Sequence, residues 1–216
     1  MSKLSTVVVR LGEKGVIEQA VAVLRAGGLV AFPTDTVYGL GSLPSKPDAI
    51  ARIYQAKGRN ASNPIALLLA DVENVQRFAE LPAAAYPLVR RFWPGGLTLV
   101  LLKTAAVIDR ISAGPTVGVR IPDLAFARDL IRAAGGALAV TSANLSGEPA
   151  AFTAQEVLEQ LDGQIELLID GGRCAGGIPS TVLDCTVWPP VVLRHGAVPE
   201  SAIRELLAAH AHSKET

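Results

Sequence analysis

Cysteine, histidine and aromatic side chains are scarce in this chain, and neither sign of charge is in surplus. Of 216 residues two are cysteine and three are histidine, aromatics make up 5%, and twenty basic residues cancel twenty acidic ones. Each shortage excludes something. Cys174 and Cys185 lack metal-ligand spacing, and two such thiols are expected to be buried and reduced, as in a cytoplasmic protein. Two of the histidines, His210 and His212, fall in a stretch expected to fray, 210–216. A serine nucleophile would therefore have only His195 to draw on. Zero net charge argues against a general nucleic-acid coat, and so does the lack of aromatic platforms for bases. No apolar run approaches the roughly 18 residues that span a bilayer, and the first six residues contain no signal-peptide core. The expectation is a soluble cytoplasmic protein.

The usual nucleotide fingerprints are missing too. There is no G-x-x-x-x-G-K-[ST], and Gly39-Leu40-Gly41-Ser42-Leu43-Pro44 lacks the last glycine of G-x-G-x-x-G and opens no helix. There is no paired-carboxylate motif or His/Asp cluster that would suggest a protein-built metal site.

What is present is apolar and alternating. Half of the residues are hydrophobic, enough for one large domain. Helical spacing at Val16, Ala20, Val23 and Leu24 ends at Gly27-Gly28. Helices are expected over 48–56, 72–81, 83–92, 126–134, 153–161 (with Thr153 as its N-cap) and 199–209. Strands are expected over 29–32, 65–70, 97–102, 117–121, 137–141, 165–169, 181–186 and 191–193. Strands and helices alternate, then strands cluster, which reads as α/β with a mixed sheet. The domain is expected over 12–207, with 1–11 an N-terminal segment and 208–216 a tail. The Gly/Pro-rich loop 171–179 is long enough to suggest function.

Three segments carry chemistry: Phe32-Pro33-Thr34-Asp35-Thr36-Val37-Tyr38-Gly39-Leu40-Gly41, Lys57-Gly58-Arg59, and Thr141-Ser142-Ala143-Asn144-Leu145-Ser146-Gly147. They offer small hydroxyls, flexible backbone and separated cations. Lys57 and Arg59 follow a helix end and flank a glycine, so both are expected to face one cleft. Arg120 and Arg194 stand at strand ends, where α/β sheets collect ligands, and arginine suits phosphate or carboxylate. Each cation could equally be a solvated surface charge, and each hydroxyl a turn cap. Asp35 alone reads as a turn residue.

In this order the segments resemble the YrdC/TsaC family of L-threonylcarbamoyladenylate synthases. Asn63-Pro64, Trp93-Pro94-Gly95, Thr116-Val117-Gly118-Val119-Arg120-Ile121-Pro122, Pro179-Ser180-Thr181-Val182-Leu183-Asp184 and Arg194-x-Gly196 extend the resemblance to about residues 12–207. It implies a twisted mixed β-sheet flanked by helices with an open central cavity. It also implies a reaction, in which L-threonine, bicarbonate and ATP give threonylcarbamoyl-AMP and pyrophosphate. Downstream proteins would then transfer the threonylcarbamoyl group to tRNA. By the family motifs, Thr36, Arg120 and Ser180 with the backbone at Val140 would hold threonine. Lys57, Arg59, Asn63, Thr116, Ser142, Asn144 and Arg194, with the backbone near Ala150, would hold ATP. Lys57 and Arg59, with Mg²⁺ carried on the phosphates rather than in a dedicated site, would supply charge in catalysis. Several relatives have a histidine where Leu68 stands here. Some have a second C-terminal domain, and the chain is expected to be the short form.

Two rivals remain at this level. A carbamoyltransferase-type YrdC domain uses carbamoyl phosphate, in longer chains with zinc-binding cysteines. A non-catalytic RNA-binding module would use weak RNA binding in a basic cavity.

Overall fold

In this computed structural model residues 4–212 are described, with side chains for 4–210. In chain order the elements are β1 (Val7–Arg10), α1 (Val16–Arg25), β2 (Val30–Phe32), β3 (Gly39–Ser42), α2 (Pro47–Lys57), β4 (Ala66–Leu69), α3 (Val75–Phe78), β5 (Ala79–Glu80), α4 (Tyr86–Phe92), β6 (Leu97–Lys103) and β7 (Thr116–Arg120). Then follow α5 (Ala125–Ala133), β8 (Ala137–Ser142), α6 (Ala154–Leu161), β9 (Leu167–Asp170), β10 (Thr181–Asp184), β11 (Val191–Arg194) and α7 (Glu200–His212).

All eleven strands join one sheet, in the order β1-β9-β2-β3-β8-β4-β7-β6-β10-β11, with β5 beside β6. The sheet is mixed, as expected. β1 and β2 lie parallel to β9, β4 to β7 and β6 to β10. β3 is antiparallel to both β2 and β8, and β6 to β7.

Strand side chains alternate between the two faces, so there are two cores. On one face Leu40, Leu67, Leu69, Leu99 and Val119 meet Ile50 and Ile53 of α2, Leu88 of α4, Val157 of α6 and Ile203 of α7. On the other, Phe32, Leu68, Leu138, Val140 and Ile169 meet Ala20 and Leu24 of α1 and Leu130 and Ile131 of α5. That second core contains no residue of β6, β7 or β10. Its helices roof one half of the face and leave the other half open.

Four expectations change. Residues 72–81 are not one helix but a 3-10 turn, the short α3 and β5. Pro82 disfavours helix before it, and Ala79 and Glu80 pair with Lys103 and Leu102, satisfying backbone at the end of β6. Val7–Arg10, in the segment set outside the domain, forms edge strand β1; its partner β9 is too distant in sequence to be read locally. Gly39–Ser42, which no expected strand includes, is strand β3. Its glycines follow from packing, because a Cβ on Gly39 would lie 2.8 Å from a Val140 methyl. Lastly, α7 includes His210 and His212, so the chain does not fray at 210; residues 213–216 lie outside the described residues. Both cysteines are free and buried, as expected.

Thr153 is the N-cap that the sequence suggests. Its Oγ1 accepts from the Glu156 amide at 3.2 Å, and the Glu156 carboxylate accepts from the Thr153 amide, completing a capping box. Thr153→Ala should lower unfolding free energy by about 1 kcal/mol. A urea midpoint equal to wild type would show that the box contributes nothing.

Candidate functional site

The open half of the sheet face is the floor of a cavity of about 350 Å³, within the range of small-ligand sites. Register puts the floor together. Gly39 pairs with Ser142, Val140 with Ala66, Leu68 with Arg120, Val100 with Gly118, and Thr98 with Val182. Cross-strand partners share a face, so these residues form one continuous surface. They are mostly small, and Gly118 shows the reason: a Cβ there would come 3.2 Å from the Thr98 methyl. The walls are the Thr34–Tyr38 loop, Arg59 with Asn63 and Pro64, Pro179 with Ser180, and Arg194.

Arg120 is at the end of β7 and is 5% exposed. Its Nε donates to the Gly95 carbonyl at 2.9 Å and its Nη1 to Thr36 Oγ1 at 2.8 Å. Its Nη2 donates to the Asp35 carboxylate. Burial pulls the guanidinium pKa below the ordinary arginine value, and Asp35 opposes that pull. Thr36 is held in turn by Thr34, whose hydroxyl lies 3.0 Å from Thr36 Oγ1 and donates to the Val37 carbonyl at 2.7 Å.

Arg194 closes β11. Its Nη2 reaches the Ser180 carbonyl at 2.8 Å and Ser180 Oγ at 3.2 Å, while Ser180 Oγ lies 2.8 Å from Thr98 Oγ1. Arg59 donates to the Asn63 carbonyl at 3.2 Å and the Pro64 carbonyl at 3.0 Å. Burial lowers the pKa of both arginines, and Arg59 lowers that of Arg194 further. Among the described residues neither has a carboxylate partner. The cavity lining holds three arginines and no aspartate or glutamate. Such a wall attracts an anion with more than one charge.

Eight expected site residues line this cavity. Thr36, Arg120, Val140 and Ser180 gather around the end of β7, and Arg59, Asn63, Ser142 and Arg194 stand on the remaining walls and floor. Four do not. Thr116 begins β7 on the floor side, but two residues short of Gly118. Ala150 is half-buried beside Ala151, whose carbonyl accepts from the Tyr38 amide. Asn144 is buried and turned inward, its Nδ2 donating to the carbonyls of Leu145 and Glu148, each at 2.8 Å.

Lys57 is the largest departure. It was expected to face the cleft with Arg59, and it is instead 2% exposed with its ammonium in the loop after β8. The αL conformation of Gly58 turns the chain between the two cations. Desolvation, then the nearby Arg59 charge, pulls the Lys57 pKa down to about 7.

Two residues escaped the sequence reading. Asp35 is the counter-ion of Arg120, which no local pattern shows. Thr98 anchors Ser180, and its signal was a single hydroxyl within the apolar run Leu97–Leu101. Leu68, where some relatives carry histidine, lies on the floor.

Fold and site together define a class: an α/β protein with an arginine-lined cavity on the open half of a mixed sheet. The family follows. Residues 22–196 match the Sua5_yciO_yrdC model, described as "Telomere recombination", and the chain belongs to that family. A threonylcarbamoyl-AMP synthase of Pyrococcus abyssi (strain GE5 / Orsay) is 45% identical over 197 residues, covering 90% of this chain and 58% of that protein. A putative threonylcarbamoyl-AMP synthase of Mycobacterium tuberculosis (strain CDC 1551 / Oshkosh) is 36% identical over 199 residues, covering 91% of each. The structure of P. abyssi Sua5 complexed with L-threonine superposes with a TM-score of 0.87 at 43% identity, over 95% of this chain and 61% of that one. The chain thus spans little more than half the length of the P. abyssi relative.

Lys57 gives the site a pH signature. Unfolded, its amine ionises near 10.5; folded, at about 7. Between these values the unfolded chain binds the extra proton, so stability rises with pH across the window. From pH 7 to pH 9 the urea midpoint of wild type should rise relative to that of Lys57→Met. Parallel pH profiles for the two proteins would show that Lys57 does not titrate this way.

Proposed function

We propose that the cavity binds ATP, L-threonine and bicarbonate and makes L-threonylcarbamoyl-AMP and pyrophosphate. One observation carries the reading: three arginines, Arg120 buried, Arg59 half-buried and Arg194 exposed, line a cavity that has no carboxylate in its lining and whose other polar groups are hydroxyls and amides. That lining suits a triphosphate and an amino acid and offers no base for a hydrolytic triad. Membership of a family that includes named threonylcarbamoyl-AMP synthases supports the same reading.

The threonine amine adds to bicarbonate with loss of water, giving a carbamate. A carbamate oxygen attacks the α-phosphorus of ATP, and pyrophosphate leaves. The protein's part is positioning and charge neutralisation. Arg120 uses three of its five N–H donors within the protein, which leaves two for the threonine carboxylate. Thr36, Ser180 and the backbone at Val140 surround that position, with Leu68 as its apolar side. Arg59, Asn63, Ser142 and Arg194 hold the nucleotide, and Thr116 stands at the rim. Arg59 and Arg194 face the charge that builds on the departing phosphates.

Magnesium enters on those phosphates, as part of the substrate. Among the described residues no group of three or more His, Cys, Asp or Glu could hold it, and Asp35 is engaged by Arg120. The product passes to cytoplasmic proteins that transfer the threonylcarbamoyl group to tRNA, and weak RNA binding at the cationic mouth would assist that step. Among the described residues no helix is long and apolar enough to cross a membrane.

Isotope-labelled bicarbonate with ATP and threonine should yield a labelled adenylate by mass spectrometry, with one pyrophosphate per product. An unlabelled product would reject this reaction. If carbamoyl phosphate replaced both bicarbonate and ATP, the carbamoyltransferase reading would stand instead.

Arg59→Ala should remove one charge-assisted contact to ATP, lowering kcat/KM by roughly 10- to 100-fold. Unchanged efficiency in the folded variant would take Arg59 out of the nucleotide site.

A further inference from the structure

Lys57 and Arg59 are two residues apart, yet they do different work. Arg59 is a wall of the cavity, while Lys57 points into the loop that follows β8. There its ammonium donates to the Ser142 carbonyl at 2.6 Å and to the Asn144 carbonyl, and lies 3.4 Å from Asn144 Oδ1. An ammonium has three donors, and three oxygens meet this one. The Lys57 carbonyl in turn accepts from the Ser146 amide at 2.8 Å. The end of α2 therefore grips the loop at both of its ends.

Asn144 is equally committed. Its Oδ1 faces Lys57, and both donor bonds of its amide stay within the loop, to Leu145 and Glu148. Neither side chain lines the cavity, but residues two positions away from them do. Ser142, whose carbonyl Lys57 holds, is on the floor, and Arg59, one residue past the Gly58 turn, is on the wall. Carbonyl oxygens that converge on one point repel each other unless a cation sits between them. That explains a lysine retained where burial and Arg59 both work against its charge.

We propose that Lys57 and Asn144 form a positioning latch, which fixes Ser142 and Arg59 relative to each other at the nucleotide end of the cavity without touching substrate. The latch assigns both residues a role other than ATP contact. It rests on the ATP and threonine reading given above.

The test is steady-state kinetics on the full chain, with KM for ATP and for threonine measured separately, for Lys57→Met, Asn144→Ala, the double variant and Lys57→Arg. Each single variant should raise the ATP KM by about tenfold and leave the threonine KM within about twofold. The double variant should be no worse than the worse single, because both break one latch. Lys57→Arg should behave like Lys57→Met, since a planar guanidinium cannot replace an ammonium among three carbonyl-type oxygens. A near-wild-type ATP KM for Lys57→Arg would mean a phosphate contact and would overturn the latch. So would additive effects, unchanged ATP KM in the single variants, or equal rises in both KM values, the mark of a merely structural role.

A second measurement needs no variant. In wild type, a brief acylation of lysines followed by mass spectrometry should leave Lys57 unmodified, with or without a non-hydrolysable ATP analogue. Modification in the free chain would overturn the latch, whether or not the analogue protects. Should wild type make no labelled adenylate, the reaction assignment fails, and the acylation result still decides whether Lys57 is latched.

Discussion

Half of one sheet face has no helix over it, and the character of the site follows from that gap. α1 and α5 pack on each other and on the β9-β2-β8 side. Beyond them Ala66 of β4 and the strands β7, β6 and β10 present a face to solvent. A row of leucines there would be an exposed apolar patch, a liability for a monomer. The floor instead carries Gly39, Ala66, Thr98 and Gly118, with valines between them. Small side chains leave depth, and depth turns an open face into a cavity. The opposite face has α2, α3, α4, α6 and α7 on it and is packed with leucine and isoleucine in the usual way.

A hollow of this kind also allows cations to line it without being neutralised. Arg120 is the only one of the three lining arginines with a carboxylate partner among the described residues, Asp35. Removing one partner of such a buried pair typically costs about 3–5 kcal/mol, so Arg120 is fixed firmly in place. Its aim is set by Thr36 and the Gly95 carbonyl, and Thr36 is set by Thr34. Arg59 and Arg194 differ. They are anchored only by carbonyls and a hydroxyl, which fix direction and leave the charge uncompensated. Partial desolvation works against each of these charges, and an anion bound in the cavity would offset it. Local stability is given up where binding needs it.

The glycine-rich loop 171–179 and Gly196 serve the same arrangement. Gly176 and Gly177 donate to the carbonyls of Asp35 and Thr36, so the 171–179 loop braces the segment that aims Arg120. A Cβ on Gly176 would lie 2.4 Å from the Asp35 carbonyl oxygen, and one on Gly196 2.3 Å from that of Pro179. These contacts are backbone on backbone. They leave little room for motion in the wall and none for a side chain.

How much of this the sequence settles can be seen element by element. The α1 stop at Gly27-Gly28, the Thr153 capping box, and the strands of β6, β7 and β8 are decided by patterns a few residues long, because caps and alternation are local physics. The resemblance of collinear motifs extended this to the mixed sheet, the cavity and eight of its lining residues. Local pattern could not reach β1 and β3, whose status depends on partners far away in the chain, on β9 and on Val140. Nor could it give the split of 72–81, where a free sheet edge outweighs helical spacing. Above all, type and spacing could not say that Lys57 turns away from the cavity while Arg59 lines it, or that Asp35 pairs with Arg120. Both matters depend on which groups lie opposite after folding: carbonyls of a loop 85 residues on for Lys57, a strand end 85 residues on for Asp35. A side chain's chemistry belongs to the sequence, but its direction and its counter-charge belong to the tertiary structure, because hydrogen bonds and desolvation act over a few ångströms of space regardless of separation along the chain.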